Sequence, residues 1–239
     1  MKFKERITAI IPAAGEGKRF GGETQKQFRM LLGKPVIAHT LALFQSCEAV
    51  NEIILIVPGS MQSYSSELVQ EHGFTKVVEI VPGGERRQDS VYNGLQALML
   101  HPADIVLVHD AVRPLITHRQ IEEIIECCIT YKAVVPAIQL KETVKQADAE
   151  GCFVSSTLDR HGLWLVQTPQ AFAADLLFTA YRKALSEGYT ATDDAGLVER
   201  VGIKVKIVKG SEGNIKITTA EDFMIAEAIL KLRDGKREA

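Results

Sequence analysis

Five short apolar runs, rich in β-branched residues, recur at positions 8–11, 53–57, 76–81, 105–109 and 133–137. Each is too short for a typical helix and lacks strict polar alternation, so each reads as a strand covered on both faces. Segments of helical period lie between them. Pro35 can open a helix at its first turn, with Val36, Ile37, Thr40, Leu41 and Phe44 on one stripe. Val91, Leu95 and Leu98 form another, and Thr117 with Gln120 makes a capping box ahead of Ile121, Ile124, Ile125 and Cys128. This alternation predicts an α/β, Rossmann-like fold, a mostly parallel twisted sheet covered by helices on both sides. In such sheets ligands bind beyond the carboxyl ends of the strands.

The rhythm breaks after Ala137. Positions 139–166 hold Thr143-Val144-Lys145, an acidic turn at 148–151 and an extended run at 153–158. This reads as two strands joined by a turn. Such a hairpin either folds back on its own sheet or covers its edges elsewhere; we infer a protruding β-arm that packs on a second subunit. Helices are expected at about 171–186 and 194–200, then a strand at 204–208. A last helix is expected to be capped by Thr218 with Glu221, its apolar face carrying Phe223, Ile225, Ala228, Ile229 and Leu232. No linker or repeat interrupts the chain, which predicts one domain over 1–239 with the arm at 139–166 inserted in it.

The formal charge, 28 cations against 30 anions, is −2. That argues against generic nucleic-acid binding and requires any anion site to be a local cluster of Lys and Arg. Cys47, Cys127, Cys128 and Cys152 show no paired C-x-x-C spacing, so neither structural zinc nor a secreted disulfide framework is expected. No apolar run reaches the roughly 18 residues of a membrane span. The opening residues lack the apolar core of a signal peptide, and a cytoplasmic location is expected.

The first strand runs into Pro12-Ala13-Ala14-Gly15-Glu16-Gly17-Lys18-Arg19-Phe20, with Lys26 following. Small residues let backbone N–H groups approach an anion, and Arg19 and Lys26 add full charge. The dinucleotide fingerprint fails, because Phe20 stands where its third glycine belongs. The P-loop fails too, because Gly17-Lys18 is followed by Arg19 and Pro12 replaces the first glycine. What remains resembles the loop of nucleotidyltransferases that join a sugar or polyol phosphate to an NTP.

Further clusters follow in order: Gly83-Gly84-Glu85-Arg86-Arg87-Gln88-Asp89-Ser90, His109-Asp110-Ala111-Val112-Arg113-Pro114, Thr157-Leu158-Asp159-Arg160-x-Gly162-Leu163-Trp164, Gln167-Thr168-Pro169-Gln170, Thr192-Asp193-Asp194 and Gly213-Asn214-Ile215-Lys216-Ile217-Thr218. With the first loop they resemble the 2-C-methyl-D-erythritol 4-phosphate cytidylyltransferase family of the non-mevalonate isoprenoid pathway, over about residues 7–230. The resemblance implies attack by a phosphate monoester oxygen on the α-phosphorus of CTP, with release of pyrophosphate. Such chemistry needs positioning and charge stabilisation more than a base or a covalent nucleophile. His39, His109 and His161 therefore read as core or hydrogen-bonded residues.

By the same resemblance, Arg19, Lys26, Arg160 and Lys216 are the catalytic cations. Pro12, Ala13, Ala14, Gly15, Gly17, Gly83, Gly84, Glu85, Ser90, Asp110 and Ala111 bind the nucleotide. Asp110, Arg113, Thr143, Arg160, Thr168, Thr192 and Lys216 hold the polyol phosphate. Thr143 and Arg160 fall in the arm, which implies a homodimer with composite sites, while Trp164 anchors the arm's base. Mg²⁺, or another divalent cation, would ride mostly on the triphosphate, with Asp110 as a possible ligand. Two departures stand out: Glu85 where the family often has Asp, and Gln25 where Pro is frequent. The rivals are ribitol 5-phosphate cytidylyltransferase, a sugar-1-phosphate nucleotidyltransferase using another NTP, and a non-catalytic nucleotide sensor. The arm motif argues against the first, the Gly-Gly-Glu segment against the second and the full set of charged residues against the third.

Overall fold

A computed structural model describes residues 3–15, 25–98 and 103–235. Strand β1 (Ile7–Pro12) leads through a short hairpin, β2 (Met30–Leu31) and β3 (Lys34–Pro35), into helix α1 (Val36–Ser46). Then come β4 (Glu52–Val57), α2 (Gln62–Glu71), β5 (Val77–Pro82), α3 (Arg87–Ala97), β6 (Ile105–Val108), α4 (His118–Tyr131) and β7 (Ala133–Gln139). An antiparallel ribbon follows, β8 (Val144–Ala147) with β9 (Val154–Leu158). The chain closes with β10 (Trp164–Val166), β11 (Gln170–Ala173), α5 (Ala174–Ser186), α6 (Asp194–Arg200), β12 (Lys206–Lys209) and α7 (Ala220–Gly235).

The main sheet runs β5–β4–β1–β6–β11–β7–β12, with β10 beside the far end of β7 on the same side as β11. Only β10 and β11 run antiparallel to the rest. Side chains alternate across the pleat. Ile7, Ala9 and Ile11 enter a core with residues of α1, α2 and α4, while Ile10 joins residues of α3, α5 and α6 on the other face. The mostly parallel sheet with helices on both faces is the expected architecture.

Several boundaries differ from expectation. Residues 171–173, read as helix, belong to β11, which is buried between β6 and β7 and hydrogen-bonded to both. The 204–208 strand begins at Lys206. The arm is shorter than 139–166: Trp164, Leu165 and Val166 pair with Gln139, Ile138 and Ala137 in the main sheet, and only β8 and β9 form the separate ribbon. The last helix is capped one residue later than expected. The Thr219 hydroxyl accepts from the Asp222 N–H at 3.2 Å and the Asp222 carboxylate accepts from the Thr219 N–H at 2.8 Å. Phe223, Ala226, Ile229 and Leu230 pack inward from that helix, while Ile225, Ala228 and Leu232 face outward.

Candidate active site

The carboxyl ends of β1, β5 and β6, with the loop after β12, converge on one small cavity of about 150 Å³. It is lined by Pro12, Ala13, Ala14, Gly15, Lys26, Ser90, Asp110, Ala111 and Lys216, all expected site residues. Gln27, Arg87 and Val112 join them.

The first wall is the start of the small-residue loop. The Ala13 N–H donates to the Ile56 carbonyl at 2.7 Å, extending the β1–β4 ladder by one residue. Buried Gln27 clamps the loop from below: its Nε2 donates to the carbonyls of Ala13 (2.6 Å) and Gly15 (3.1 Å) and to Oε1 of Gln25 (2.9 Å). Gln25 thus contributes an acceptor that a proline could not. Gly17 and Arg19 lie outside the described residues.

The second wall is the turn after β5. A Cβ on Gly83 would fall 2.2 Å from the Ala14 Cβ, and one on Gly84 would fall 2.5 Å from the Asp89 Cβ. Gly83 is required by packing of the turn on the small-residue loop, and Gly84 by packing on the first turn of α3. The Ser90 hydroxyl accepts from the Gly84 N–H and donates to the Arg86 carbonyl, both at 3.0 Å. Its hydrogen is thereby committed to the turn, while the side chain lines the cavity. Glu85 is exposed beside it.

Asp110, just past β6, is the electrostatic centre. Lys216 Nζ stands 2.9 Å from its Oδ2, Arg113 Nε 3.3 Å from the same oxygen and Arg87 Nε 3.8 Å from Oδ1. Burial alone would raise the Asp110 pKa, but the charges of Lys216, Arg87 and Arg113 outweigh it and hold the carboxyl well below the usual range. Arg87 also pairs at 2.8 Å with fully buried Asp194, which accepts a 2.5 Å bond from the Tyr181 hydroxyl. Burial works against the Arg87 charge, yet Asp194 and Asp110 prevail and lift its pKa above the ordinary value.

Beneath Asp110 lies a hydrogen-bonded layer. The Thr168 hydroxyl accepts from the Asp110 N–H and donates to His109 Nδ1, both at 3.1 Å. His109 Nε2 donates to the Arg113 carbonyl at 3.0 Å. Burial lowers the His109 pKa to about 4, so the ring is neutral near pH 7 with both nitrogens engaged. Thr168 thus ties Asp110 to His109 and is absent from the lining of the cavity among the described residues. Arg113 is likewise turned inward, its Nη1 donating to the Asn214 carbonyl at 2.8 Å.

The loop carrying Lys216 is fastened at three points. Gln167 exchanges two bonds with Ser211 (2.7 and 3.1 Å), Asn214 Nδ2 donates to the Thr168 carbonyl (2.9 Å), and the Ile217 N–H donates to the Val112 carbonyl (2.9 Å). Thr143, Arg160 and Thr192 do not line this cavity. Thr143 and Thr192 are exposed, and Arg160 Nη1 donates to the Lys141 carbonyl beside a broad groove at the base of the arm. Gln27, Arg87 and Asn214 carried no assigned role in the sequence reading. Arg87 sat inside a highlighted motif, but only the fold brings Asp194 to it.

The comparisons agree with this geometry. The sequence model of the family described as 2-C-methyl-D-erythritol 4-phosphate cytidylyltransferase matches residues 7–232. A protein of that name from Pelotomaculum thermopropionicum is 48% identical over 233 residues, 97% of each chain. One from Geobacillus thermodenitrificans is 46% identical, covering 94% of this chain and 97% of its own. Among solved structures, 4-diphosphocytidyl-2C-methyl-D-erythritol synthase from Anaerococcus prevotii superposes with a TM-score of 0.82 at 33% identity, covering 95% of this chain and 99% of its own. With the nucleotidyltransferase-like fold and the converging cations, these matches establish that the chain belongs to the 2-C-methyl-D-erythritol 4-phosphate cytidylyltransferase family.

Proposed function

We propose that this protein transfers CMP from CTP to 2-C-methyl-D-erythritol 4-phosphate, giving 4-diphosphocytidyl-2-C-methyl-D-erythritol and pyrophosphate for isoprenoid precursor synthesis. The observation that carries the reading is the gathering of Lys26, Lys216 and Asp110, the last two paired, around one cavity walled by Ala13, Ala14 and Gly15. Small residues admit the triphosphate to the backbone, and the lysines face the charge that grows as the α-phosphorus becomes five-coordinate. The attacking monoester is already largely dianionic near neutral pH, its second pKa being about 6, so no side chain need remove a proton. His109, neutral and fully bonded, fits that scheme. Among the described residues Ser90 is the sole hydroxyl, thiol or imidazole side chain on the cavity wall, and its hydrogen bonds leave no activating base for a covalent step.

Among the described residues no three His, Cys, Asp or Glu side chains converge as a metal cage. Asp110 offers one carboxylate, already faced by three cations. That donor set suits a Mg²⁺ or similar ion arriving on the triphosphate as part of the substrate. In our reading Arg19 and Arg160 complete the cation set. Arg160 and Thr143 would be supplied by the arm of a second subunit in a homodimer, and Arg113 and Thr192 would help hold the polyol phosphate. In our reading the protein works in the cytoplasm, with neither membrane nor nucleic acid as partner. No described helix is long and apolar enough to cross a membrane, and all four cysteines are free.

The test is pyrophosphate release with CTP and Mg²⁺, comparing 2-C-methyl-D-erythritol 4-phosphate with ribitol 5-phosphate. Turnover of the first is expected. Turnover of ribitol 5-phosphate alone would overturn the assignment of the polyol.

A further inference from the structure

A second cavity, of about 800 Å³, is lined from α1, the β2–β3 turn, the start of α4 and the end of α7. That volume is in the range of small-molecule sites. Three segments of chain reach both cavities. Lys26 and Gln27 line the first, and Leu32 and Lys34 the second. Ala111 and Val112 line the first, and Pro114 and Ile116 the second. Lys216 lines the first, and Leu230 and Arg233 of the helix that follows line the second. Leu31, Val112 and Ile217, one from each segment, pack in a single apolar cluster.

The charge of the second lining is of one sign. Lys34, Arg119 and Arg233 contribute cations, His39 and His118 imidazoles, and among the described residues no Asp or Glu lines it. Arg119 also bonds Glu123 at 2.8 Å, and Arg233 donates to the Leu115 carbonyl at 2.8 Å. Leu43, Ile116 and Leu230 give it apolar surface. Leu32 adds to this from an unusual position. Its φ of 49° is left-handed, a turn conformation normally given to Asn or Gly and costly for leucine by about 1 kcal/mol or more. The side chain is 38% exposed. An apolar group is thus held in a strained turn beside a cationic cavity, and backbone outliers of this kind cluster at ligand sites.

We propose that this cavity binds a small amphiphilic anion, a phosphate monoester of a short apolar alcohol. The headgroup would meet Lys34, Arg119 and Arg233, and the chain would lie against Leu32, Leu43 and Leu230. Because the two cavities share three segments, occupancy of the second is felt by the nucleotide in the first. The binding half goes beyond cytidylyl transfer and does not rest on it.

Calorimetric titration of the whole protein with n-octyl phosphate tests this, with inorganic phosphate and n-octyl glucoside as headgroup-only and chain-only probes. The octyl phosphate is expected to bind about tenfold or more tighter than either. Lys34→Ala and Leu32→Asn, both at exposed positions, are each expected to weaken it by about fivefold or more while CTP binding persists. Equal binding of either control, or unchanged binding in both variants, overturns the site. Saturating octyl phosphate should change the CTP dissociation constant by about twofold or more, and CTP should change that of octyl phosphate by the same factor. Independent binding overturns the coupling. Since octyl phosphate binding is read without turnover, its failure and a failure of the cytidylyl-transfer assignment are told apart.

Discussion

The Lys216 ammonium stands 2.9 Å from Oδ2 of Asp110. Arg87 and Arg113 approach the same carboxylate, so one anion faces three cations beside the cavity, two of which, Lys216 and Arg87, line it. A carboxylate in a phosphate site works against binding by charge alone. In the proposed function its effect would be to fix the cations before substrate arrives.

Asp110→Asn preserves shape and removes that anion. Three cations are then left to repel one another, two of them partly exposed and so partly screened. A stability loss of about 2–3 kcal/mol is expected from urea unfolding, with a fall in kcat/KM on the order of 10²–10³. Unchanged kcat/KM would show that Lys216 needs no such anchor.

His109 sets a pH dependence of stability. Burial lowers its folded pKa from 6.5 to about 4. As pH falls through 6.5 the unfolded chain takes up a proton that the folded chain refuses until about 4. The contribution is therefore complete above 6.5 and is lost on the way down to 4, by about 3 kcal/mol in all. The depressed Asp110 pKa acts mostly below that window, since the unfolded carboxyl is half-protonated only at pH 3.8 and begins to bind protons at about pH 5. Urea midpoints measured across this range should drop steadily, and His109→Gln should flatten the drop. A variant that keeps the full slope would assign it to other groups.

Gly83→Ala places a methyl group 2.2 Å from the Ala14 Cβ. The two turns must separate, and the wall they form with them. KM for CTP is expected to rise by about tenfold or more while the fold persists. Ala14→Gly removes the opposing methyl, so the double variant should recover part of the loss, a coupling that a double-mutant cycle measures. Additive effects would mean that the contact between the turns does not shape the site.

Much of this was legible in the sequence because local chemistry agreed with tertiary context. The β-branched runs became the parallel strands, and Thr117 with Gln120 capped α4 as written. The Gln170–Ala173 segment was misread because Gln-Ala-Phe-Ala suits a helix as well as a strand; its hydrogen bonds to β6 and β7 decide it, and those partners are remote in sequence. The site shows the same division. Lys26 announces itself as a charge following a glycine-rich loop, while Lys216 and Asp110 were legible through the order of motifs they share with the family. Arg87 does not, because its meaning depends on buried Asp194, 107 residues away. Ser90 and Thr168 look like free hydroxyls in a sequence, and only coordinates reveal that both hydrogens are already committed.

The arm carries the last prediction. Phe153 and Val154 are 74% and 62% exposed, and Leu158, Trp164, Leu165 and Val166 are exposed as well. Such a band of apolar surface is what a second subunit would cover. Arg160 lies at the base of this arm, away from its own chain's catalytic cavity. If it acts on phosphate it acts in the partner's site, and inactive subunits should then complement. A heterodimer of Arg160→Ala with Lys26→Ala contains one site with both residues intact and one with neither. Random exchange makes half the dimers mixed, so about a quarter of wild-type activity should return on mixing two nearly inactive proteins. Analytical ultracentrifugation of the wild type should show a dimer, and mass-tagged subunits would confirm exchange. Exchange without recovered activity would place Arg160 outside any shared site and leave the arm a purely structural element.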